Sequence, residues 1–206
     1  MKNIKIKWHP SIKEIPKIVW NNFQGKNSNP FYKWDWLYAL EKSGSVDKKY
    51  GWQPLFLSAW SKKDLIACAP LYLKSHSYGE FIFDNAFVQL AQDMGLKYYP
   101  KLIGMSPLSP IEGYRFLFGA EVNEKELTQI LISEIDNFAK KNGILSCNFL
   151  YVDPTWMKIA ESQNCAKWIN QKSILKLNEE KSFSDFLKKF NSNQRRNIKR
   201  ERERIK

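Results

Sequence analysis

The sequence predicts an α/β chain of the α+β kind, with a mixed, mainly antiparallel sheet flanked by helices. Two observations indicate this class: apolar residues alternate with a period of two in several segments, and they recur with a period of 3.6 in others. The third is size, since 206 residues with a hydrophobic share of 43% suffice for one folded domain with a single core.

The first part of the chain predicts one strand followed by two helices. Residues 4–9 alternate apolar and basic side chains, which is typical of a strand with one solvated face. Residues 11–23 are interpreted as a short helix. Asn29 and Pro30 form an N-cap followed by a proline at the first helical position, and the helix they begin is expected to end at Gly44.

The next segments predict a hairpin and then an irregular region. Residues 53–60 and 65–74 are two apolar strands joined by the polar turn 61–64. Residues 80–84 are expected to extend the same sheet. From 87 to 110, glycine, proline, tyrosine and lysine occur without a clear period, which indicates a surface loop region where binding residues concentrate.

The strongest helical signal lies in the second half of the chain. Asn123 with Glu126 three residues later makes a variant of the capping box, and an apolar stripe then predicts a helix over 124–141 that stops at Gly143. The other predicted elements are a strand at 114–118, a strand at 144–152, a short helix from Pro154 and a last strand at 173–178.

The composition changes from Ser182 onward. A short amphipathic turn is followed by an almost wholly polar tail, in which seven Lys or Arg side chains oppose two glutamates, a local balance of +5. Because so few apolar residues are available to dock this tail, we expect the segment 194–206 to be loosely held.

Composition also limits the function classes. The net charge of +12 predicts an anionic partner such as nucleic acid, a phosphorylated substrate or a membrane surface. The three cysteines lie far apart, so the sequence signals neither a metal site nor a disulfide framework. It has no apolar run long enough for a membrane helix and no signal-peptide pattern at its start, which predicts a cytoplasmic location.

Four motifs carry a resemblance to a known family. In chain order they are FYKWDWLYALEKSGSV, PLYLKSHSYGEFIFD, GLKYYPKLIGMSPLSP and SNQRRNIKRERE. Together they resemble the FemAB-like proteins of peptidoglycan biosynthesis, in the wider GNAT-type acyltransferase superfamily. The resemblance covers the chain from about Phe31 to its end. The second and third motifs are specific to this branch, and the basic one is similar to a stretch shared more widely with Fem aminoacyltransferases.

The resemblance implies an architecture and a reaction class. Members look like two GNAT-like domains in tandem, so residues 1–181 would be one GNAT-like domain and 182–206 a basic helix leading to a second domain. Fem enzymes transfer an aminoacyl group from a charged tRNA to an amine on the peptide stem of a cell-wall precursor, which implies an N-acyltransferase here. The implied partners are anionic: a charged tRNA, or a nucleotide- or lipid-linked peptidoglycan precursor.

Such a reaction needs a proton acceptor, and His76 is the candidate base because imidazole titrates near neutral pH. Asp84 could orient that imidazole, or act as the base itself if burial raised its pKa. A hydrogen-bonded His76 in a hairpin turn is the competing interpretation, and His9 is assigned a structural role. The candidate substrate-binding residues are Lys74, Tyr78, Glu80, Tyr98, Tyr99, Lys101, Arg115, Arg195 and Arg196.

The expected cofactor content is none. Acetyl-CoA-dependent GNAT proteins carry a Q/R-x-x-G-x-G/A loop that opens a helix, whereas the nearest match here, Arg115 to Ala120, has its glycine one place late and lies before the helix. Two other functions stay open: a basic RNA-binding domain and a non-catalytic domain that recognises cell-wall precursors. The sequence has no hydrolase, NTPase or zincin motif.

Overall fold

The structure is a computed structural model that describes residues 4–25, 29–171, 173–176 and 180–205. The chain forms two compact units, Met1–Ala166 and Lys167–Lys206. The strands are β1 (Ile4–His9), β2 (Trp52–Pro54), β3 (Phe56–Ser61), β4 (Asp64–Ala69), β5 (Tyr72–Lys74), β6 (Lys101–Gly104), β7 (Leu117–Phe118) and β8 (Cys147–Phe149). The α-helices are α1 (Lys17–Phe23), α2 (Trp34–Lys42), α3 (Asn85–Asp93), α4 (Glu124–Lys141), α5 (Pro154–Glu161), α6 (Phe183–Lys188) and α7 (Ser192–Glu203).

The strands of the first unit form two four-stranded sheets. One has the order β1-β3-β4-β7 and the other the order β2-β5-β6-β8. All pairs are antiparallel except β6 with β8, which run parallel. The predicted mixed, mainly antiparallel sheet architecture flanked by helices is confirmed.

The predicted hairpin spans both sheets. Strands β3 and β4 pair across the turn. On the side away from the turn, β2 precedes β3 and β5 follows β4, and these two strands pair with each other in the second sheet. The amide of Leu55 donates to the carbonyl of Leu71 at 2.9 Å between the two paired regions. The hairpin therefore connects the two sheets.

The core consists of two apolar clusters, whereas the sequence predicted a single core. Alternate residues of β3 enter different clusters, since Phe56 belongs to one and Leu57 to the other. Helices α4 and α5 supply Leu131 and Trp156 to the cluster of Leu57, and α1 supplies Trp20 to that of Phe56. The alternation of strand side chains thus divides the apolar residues between the two faces of the sheet.

Several helix predictions are confirmed, some with changed boundaries. Helix α4 has the predicted bounds, and the Asn123 side chain accepts the amide of Glu126 as its N-cap. The segment 11–23 is not one helix: a 3-10 turn at Ile12–Glu14 precedes α1, because Pro16 lacks an amide hydrogen and takes an extended conformation. The helix predicted from Pro30 is likewise divided into a 3-10 turn, Pro30–Tyr32, and α2.

Three predictions for the segments after β5 are wrong. Residues 80–84 form an irregular loop, because both of its terminal carboxylates are drawn inward. The region predicted as surface loop, 87–110, contains most of α3 and the fully buried strand β6. The last predicted strand is absent from residues 173–176, and Leu177 and Asn178 lie outside the described residues.

The second unit contains α6 and α7. Ser182 caps α6, and Asn191 with Gln194 forms a reciprocal capping box at the start of α7. Helix α7 has no buried residue. The predicted loose attachment of 194–206 stays a prediction, as do the domain boundary at 181 and the second domain.

Candidate functional site

A row of three side chains crosses the second sheet at one end. Trp52 on β2 lies opposite Lys74 on β5, and Lys74 lies opposite Lys101 on β6. Residues directly opposite each other in antiparallel strands project from the same face. The two lysines are 0% and 1% exposed, so this end of the sheet places two ammonium groups in the protein interior, where each must be paired or hydrogen-bonded.

The Lys101 ammonium is held by the loop that follows β5. Its Nζ donates to Glu80 Oε2 at 2.7 Å, to Asp84 Oδ2 at 2.6 Å and to Ser77 Oγ at 2.8 Å. These three bonds use all the hydrogens of the ammonium. The loop 75–84 is therefore attached to strand β6 through a buried charged group.

Three tyrosines extend this arrangement. Tyr98 donates from its hydroxyl to Asp84 Oδ2 at 2.9 Å, and the Tyr99 hydroxyl lies 2.9 Å from Ser77 Oγ. The Tyr151 hydroxyl donates to the backbone carbonyl of Glu80 at 2.9 Å. The buried ionic group and its hydroxyl partners are called the Lys101 cluster below; it consists of Lys101, Glu80, Asp84, Ser77, Tyr98 and Tyr99.

The two carboxylates of the cluster differ in their electrostatics. Burial raises the pKa of Asp84, but hydrogen bonds from Lys101, Ser77 and Tyr98 outweigh burial and lower it overall. Burial raises the pKa of Glu80 more than Lys101 lowers it. Glu80 Oε1 is buried and has no hydrogen-bond partner among the described residues, so the two oxygens of this carboxylate are unequally satisfied.

Lys74 has a different environment from Lys101. Its Nζ donates to the Tyr78 carbonyl at 3.0 Å and lies 3.7 Å from the centroid of the Trp52 ring. Burial, and to a smaller extent the charge of Lys101, lower the pKa of Lys74 to about 8, although Glu80 acts in the opposite direction. A buried amine that titrates close to neutral pH therefore adjoins the cluster.

His76 contacts backbone groups. Its Nδ1 accepts the amide hydrogen of Tyr78 at 3.2 Å, and its ring centroid is 5.1 Å from that of Tyr78. Gly51 lies against the other side of the ring, since a Cβ there would come within 2.2 Å of Nε2. Burial and the neighbouring Lys74 lower the pKa of His76, while bonding to the backbone at Tyr50 raises it. The imidazole is therefore neutral at neutral pH.

A cleft of about 450 Å³ opens beside His76. Its lining combines hydroxyl groups, aromatic rings and backbone, and it is called the His76 cleft. The lining residues are Ser43, Gly44, Ser45, Tyr50, Trp52, His76, Tyr78, Gly79 and Leu108. Gly79 is required where the loop crosses Trp52, because it has φ +82° and a Cβ there would lie 2.6 Å from a methyl group of Leu108. Trp52 and the loop 75–84 connect this cleft to the buried lysines.

The structure brings together most of the residues predicted for the site. Five of them belong to the Lys101 cluster or contact it directly, and three lie at the adjoining cleft or under it. The first group is Glu80, Asp84, Tyr98, Tyr99 and Lys101, and the second is Lys74, His76 and Tyr78. Asp84 bonds Lys101, Ser77 and Tyr98, whereas the His76 ring is oriented by backbone.

The predicted arginines lie elsewhere. Arg115 donates from Nη2 to the carbonyls of Phe23 and Gln24, both at 3.4 Å, so it contacts the C-terminal end of α1, where a cation is favourable. Arg195 and Arg196 are on α7 in the second unit, and Arg195 donates to the Phe190 carbonyl at 2.8 Å. Neither of the two Arg115 contacts involves His76 or the Lys101 cluster.

Sequence reasoning missed Ser77, Trp52 and Tyr151. Ser77 lies within the motif PLYLKSHSYGEFIFD, so its hydroxyl could have been identified as a possible hydrogen-bonding group of the site. The contribution of Trp52 depends on its register with Lys74 and Lys101, and it could not be found while β6 was interpreted as loop. Tyr151 has a backbone φ of +54°, and the sequence does not indicate this conformation or the contact of its side chain with Glu80.

No group of three or more His, Cys, Asp or Glu side chains among the described residues has the geometry to hold a metal ion. In the same part of the chain, no helix has the length and apolar character needed to cross a membrane.

Comparisons with known proteins identify both the family and the fold. The FemAB-like family model, described as peptidoglycan biosynthesis/recognition, matches residues 11–206. No curated protein matches significantly. A possible acetyltransferase from Clostridium difficile 630 is 12% identical with a TM-score of 0.50, covering 85% of this chain and 99% of its own.

A ribosomal-protein-alanine N-acetyltransferase from Brucella melitensis biovar Abortus 2308 is 8% identical with a TM-score of 0.48, covering 85% of this chain and 100% of its own. At such identities, the likeness to the clostridial protein shows the fold alone, which is that of the GNAT acetyltransferases. Because the family model matches nearly the whole chain, the protein belongs to the FemAB-like family of peptidoglycan biosynthesis/recognition proteins.

Proposed function

We propose that this chain is an N-acyltransferase of the Fem aminoacyltransferase type, which transfers an aminoacyl group to an amine of a peptidoglycan precursor. One observation carries the proposal: an open cleft lined by His76, hydroxyl groups and aromatic rings adjoins a buried ionic cluster that fixes its loop. Membership in the FemAB-like family supports the choice of precursor. The cleft would hold the acceptor.

The reaction requires a neutral amine that attacks the carbonyl carbon of an activated ester. A carbon–nitrogen bond forms, the ester carbon–oxygen bond breaks, and the amine loses a proton while the leaving hydroxyl gains one. We assign the first proton transfer to His76, whose lowered pKa keeps the imidazole unprotonated at neutral pH. Its 3.2 Å bond from the Tyr78 amide is long, so acceptor binding could displace it.

The Lys101 cluster is proposed to position this site without contacting the reacting atoms. Glu80 and Asp84 anchor the two sides of the segment that follows His76, and Lys101 holds both carboxylates. Tyr78, which is 81% exposed and lines the cleft, would contact the acceptor there. Lys74 would fix the carbonyl of Tyr78 and thereby the ring orientation of that residue.

The remaining assignments follow from the family resemblance and the distribution of charge. Arg195 and Arg196 on the basic helix α7 would bind phosphates of a charged tRNA or of a nucleotide- or lipid-linked precursor. Residues 182–206 would lead into a second GNAT-like domain. Use of a charged tRNA would require the protein to act in the cytoplasm, and the proposal includes no cofactor.

The two histidines of the chain provide a matched test. The assay measures transfer of a labelled amino acid from charged tRNA to a nucleotide-linked muramyl pentapeptide, per folded molecule. His76→Ala should lower turnover by about a hundredfold or more. His9→Ala removes a buried ring that bonds Ser58 at 2.7 Å, so it should lower the thermal midpoint and leave turnover per folded molecule unchanged. Equal turnover for both variants would refute the base assignment.

A precursor-recognition domain without catalysis is the second candidate. The observation in its favour is the ring of His76, which has the Tyr78 amide on one nitrogen and Gly51 against the other. If this function is correct, the chain binds the muramyl pentapeptide, His76→Ala weakens that binding, and no donor yields product. Calorimetric binding measured beside the transfer assay separates the two functions.

A further inference from the structure

The buried Lys74 ammonium and the His76 ring contact the backbone of the same residue, Tyr78. Lys74 Nζ donates to the Tyr78 carbonyl at 3.0 Å, and the Tyr78 amide donates to His76 Nδ1 at 3.2 Å. The amide and the carbonyl of one residue are joined through its Cα, so an ammonium that fixes the carbonyl also restricts the direction of the amide. Lys74 is therefore connected to the imidazole through a single residue.

The charge of Lys74 faces an uncharged acceptor. Lys101 donates to two carboxylates, whereas the hydrogen bond of Lys74 goes to a backbone carbonyl. The Lys74 side chain is 0% exposed, so water and salt screen its field much less than that of a surface lysine. This field reaches His76, whose pKa is lowered first by burial and then by the charge of Lys74.

Other charged side chains near the cleft in sequence are solvated or bonded elsewhere. Glu41 accepts the Ser11 hydroxyl at 2.6 Å, and both carboxylates of the Lys101 cluster bond the ammonium of that cluster. Four charged side chains next to the lining residues are exposed: Lys42, Asp47, Lys48 and Lys49. Tyr50 and Tyr78 line the cleft beside the imidazole, and phenol side chains carry no charge near neutral pH. The buried ammonium therefore dominates the charge around the ring.

We propose that Lys74 is a positioning residue for the reaction, which holds the Tyr78 amide against His76 Nδ1 and opposes protonation of the imidazole. Lys74 does not reach the reacting atoms, because its Nζ lies 3.7 Å from the centroid of the Trp52 ring and that residue lines the cleft above it. It acts through the Tyr78 backbone and through its charge. The effect on turnover rests on the proposed function, whereas the effect on the imidazole does not.

The sign of the effect follows from the two titrations. Lys74, with a pKa of about 8, stays charged over the more acidic range in which His76 takes up a proton. Without this positive charge the imidazole is easier to protonate, so its titration should move to higher pH. A general base acts in its unprotonated form, and the acid limb of the pH–rate profile should move in the same direction.

An NMR titration of the histidine rings tests the inference without any substrate. The chain has two histidines, so His9→Ala assigns the signals of His76. The His76 midpoint should be higher in Lys74→Met than in the wild-type chain. Lys49→Met removes an exposed charge 4.9 Å from the centroid of the Tyr50 ring and is the matched control, which should leave the midpoint unchanged. An unchanged or lower midpoint in Lys74→Met, or an equal rise in both variants, overturns the proposal.

The wild-type chain provides a second readout that does not depend on the folding of Lys74→Met. The amide nitrogen signal of Tyr78 should shift together with the His76 titration, and its carbonyl carbon signal should shift near pH 8, where Lys74 loses its proton. Absence of either shift overturns the proposal.

Turnover separates this inference from the proposed function. In the transfer assay the acid limb of Lys74→Met should lie at higher pH than that of the wild-type chain and of Lys49→Met. A raised His76 midpoint with an unmoved acid limb overturns the positioning role. A raised midpoint in a chain that transfers nothing supports the inference for the imidazole and refutes the proposed function.

Discussion

Replacing Lys101 by methionine should destabilise the protein strongly. The ammonium is 1% exposed and bonds two carboxylates at 2.7 and 2.6 Å. Methionine conserves most of the volume and removes the charge, so Glu80 and Asp84 stay buried without the ammonium that bonds both of them. Breaking a buried ion pair in this way costs about 3–5 kcal/mol, well above the cost of losing a surface pair.

The loss should depend on pH with a definite sign. In the wild-type protein the pKa of Asp84 is lowered overall, so its stabilisation is present above the ordinary pKa and lost as pH falls through the lowered value. In Lys101→Met the hydrogen bonds and charge of Lys101 no longer lower the pKa of the two carboxyls, so burial should raise the pKa of both. The variant is then most stable in acid and loses stability as pH rises. The difference between the two proteins should be smallest below the lowered pKa of Asp84 and should grow as pH rises toward ~7.

Urea unfolding at several pH values measures this difference. Lys97→Met, at an exposed lysine of the same region, is the control and should change stability by less than about 0.5 kcal/mol. A Lys101→Met destabilisation below about 1 kcal/mol at neutral pH, or one that does not shrink in acid, would refute the assignment of Lys101 as the cation that neutralises both carboxylates.

Three further variants test other parts of the structure. Because the pKa of Lys74 is lowered to about 8, the stability of the wild-type protein should rise by at most about 3 kcal/mol between pH ~8 and ~10.5. Lys74→Met should abolish this rise, and identical pH profiles for the two proteins would contradict the lowered pKa. Gly104→Ala should cost at least about 1–3 kcal/mol in urea unfolding, because its Cβ would lie 2.2 Å from the Tyr114 hydroxyl; a neutral effect would contradict that packing. Asn123→Ala should cost about 1 kcal/mol by loss of the α4 cap, and an unchanged midpoint would show that the cap contributes nothing.

The sequence predicted the elements whose signals are local. Helix α4 was predicted with its bounds, because Asn123 supplies the cap and Leu127, Leu131 and Ile135 give a regular stripe. Strand β1 and the β3–β4 hairpin were likewise marked by alternation and by a polar turn.

The elements that were mispredicted depend on contacts between distant residues. Strand β6 is buried on both faces, so its residues show no alternation, and its neighbour β5 cannot be identified without the register. The loop 80–84 alternates in sequence like a strand, but Lys101 draws its carboxylates inward. The motif PLYLKSHSYGEFIFD was enough to locate the candidate site in the sequence. The pairing of Glu80 and Asp84 with Lys101 could be identified only from the fold.

The most direct measurement is the mass of the acceptor after reaction. The chain is incubated with charged tRNA and a muramyl pentapeptide that has one free amine, beside the same peptide with that amine acetylated. The proposed function predicts that the free-amine peptide gains the mass of one aminoacyl residue and that the acetylated peptide is unchanged. An unchanged mass for both peptides, with binding of the free-amine peptide intact, would contradict the proposed transferase function and assign this chain to precursor recognition.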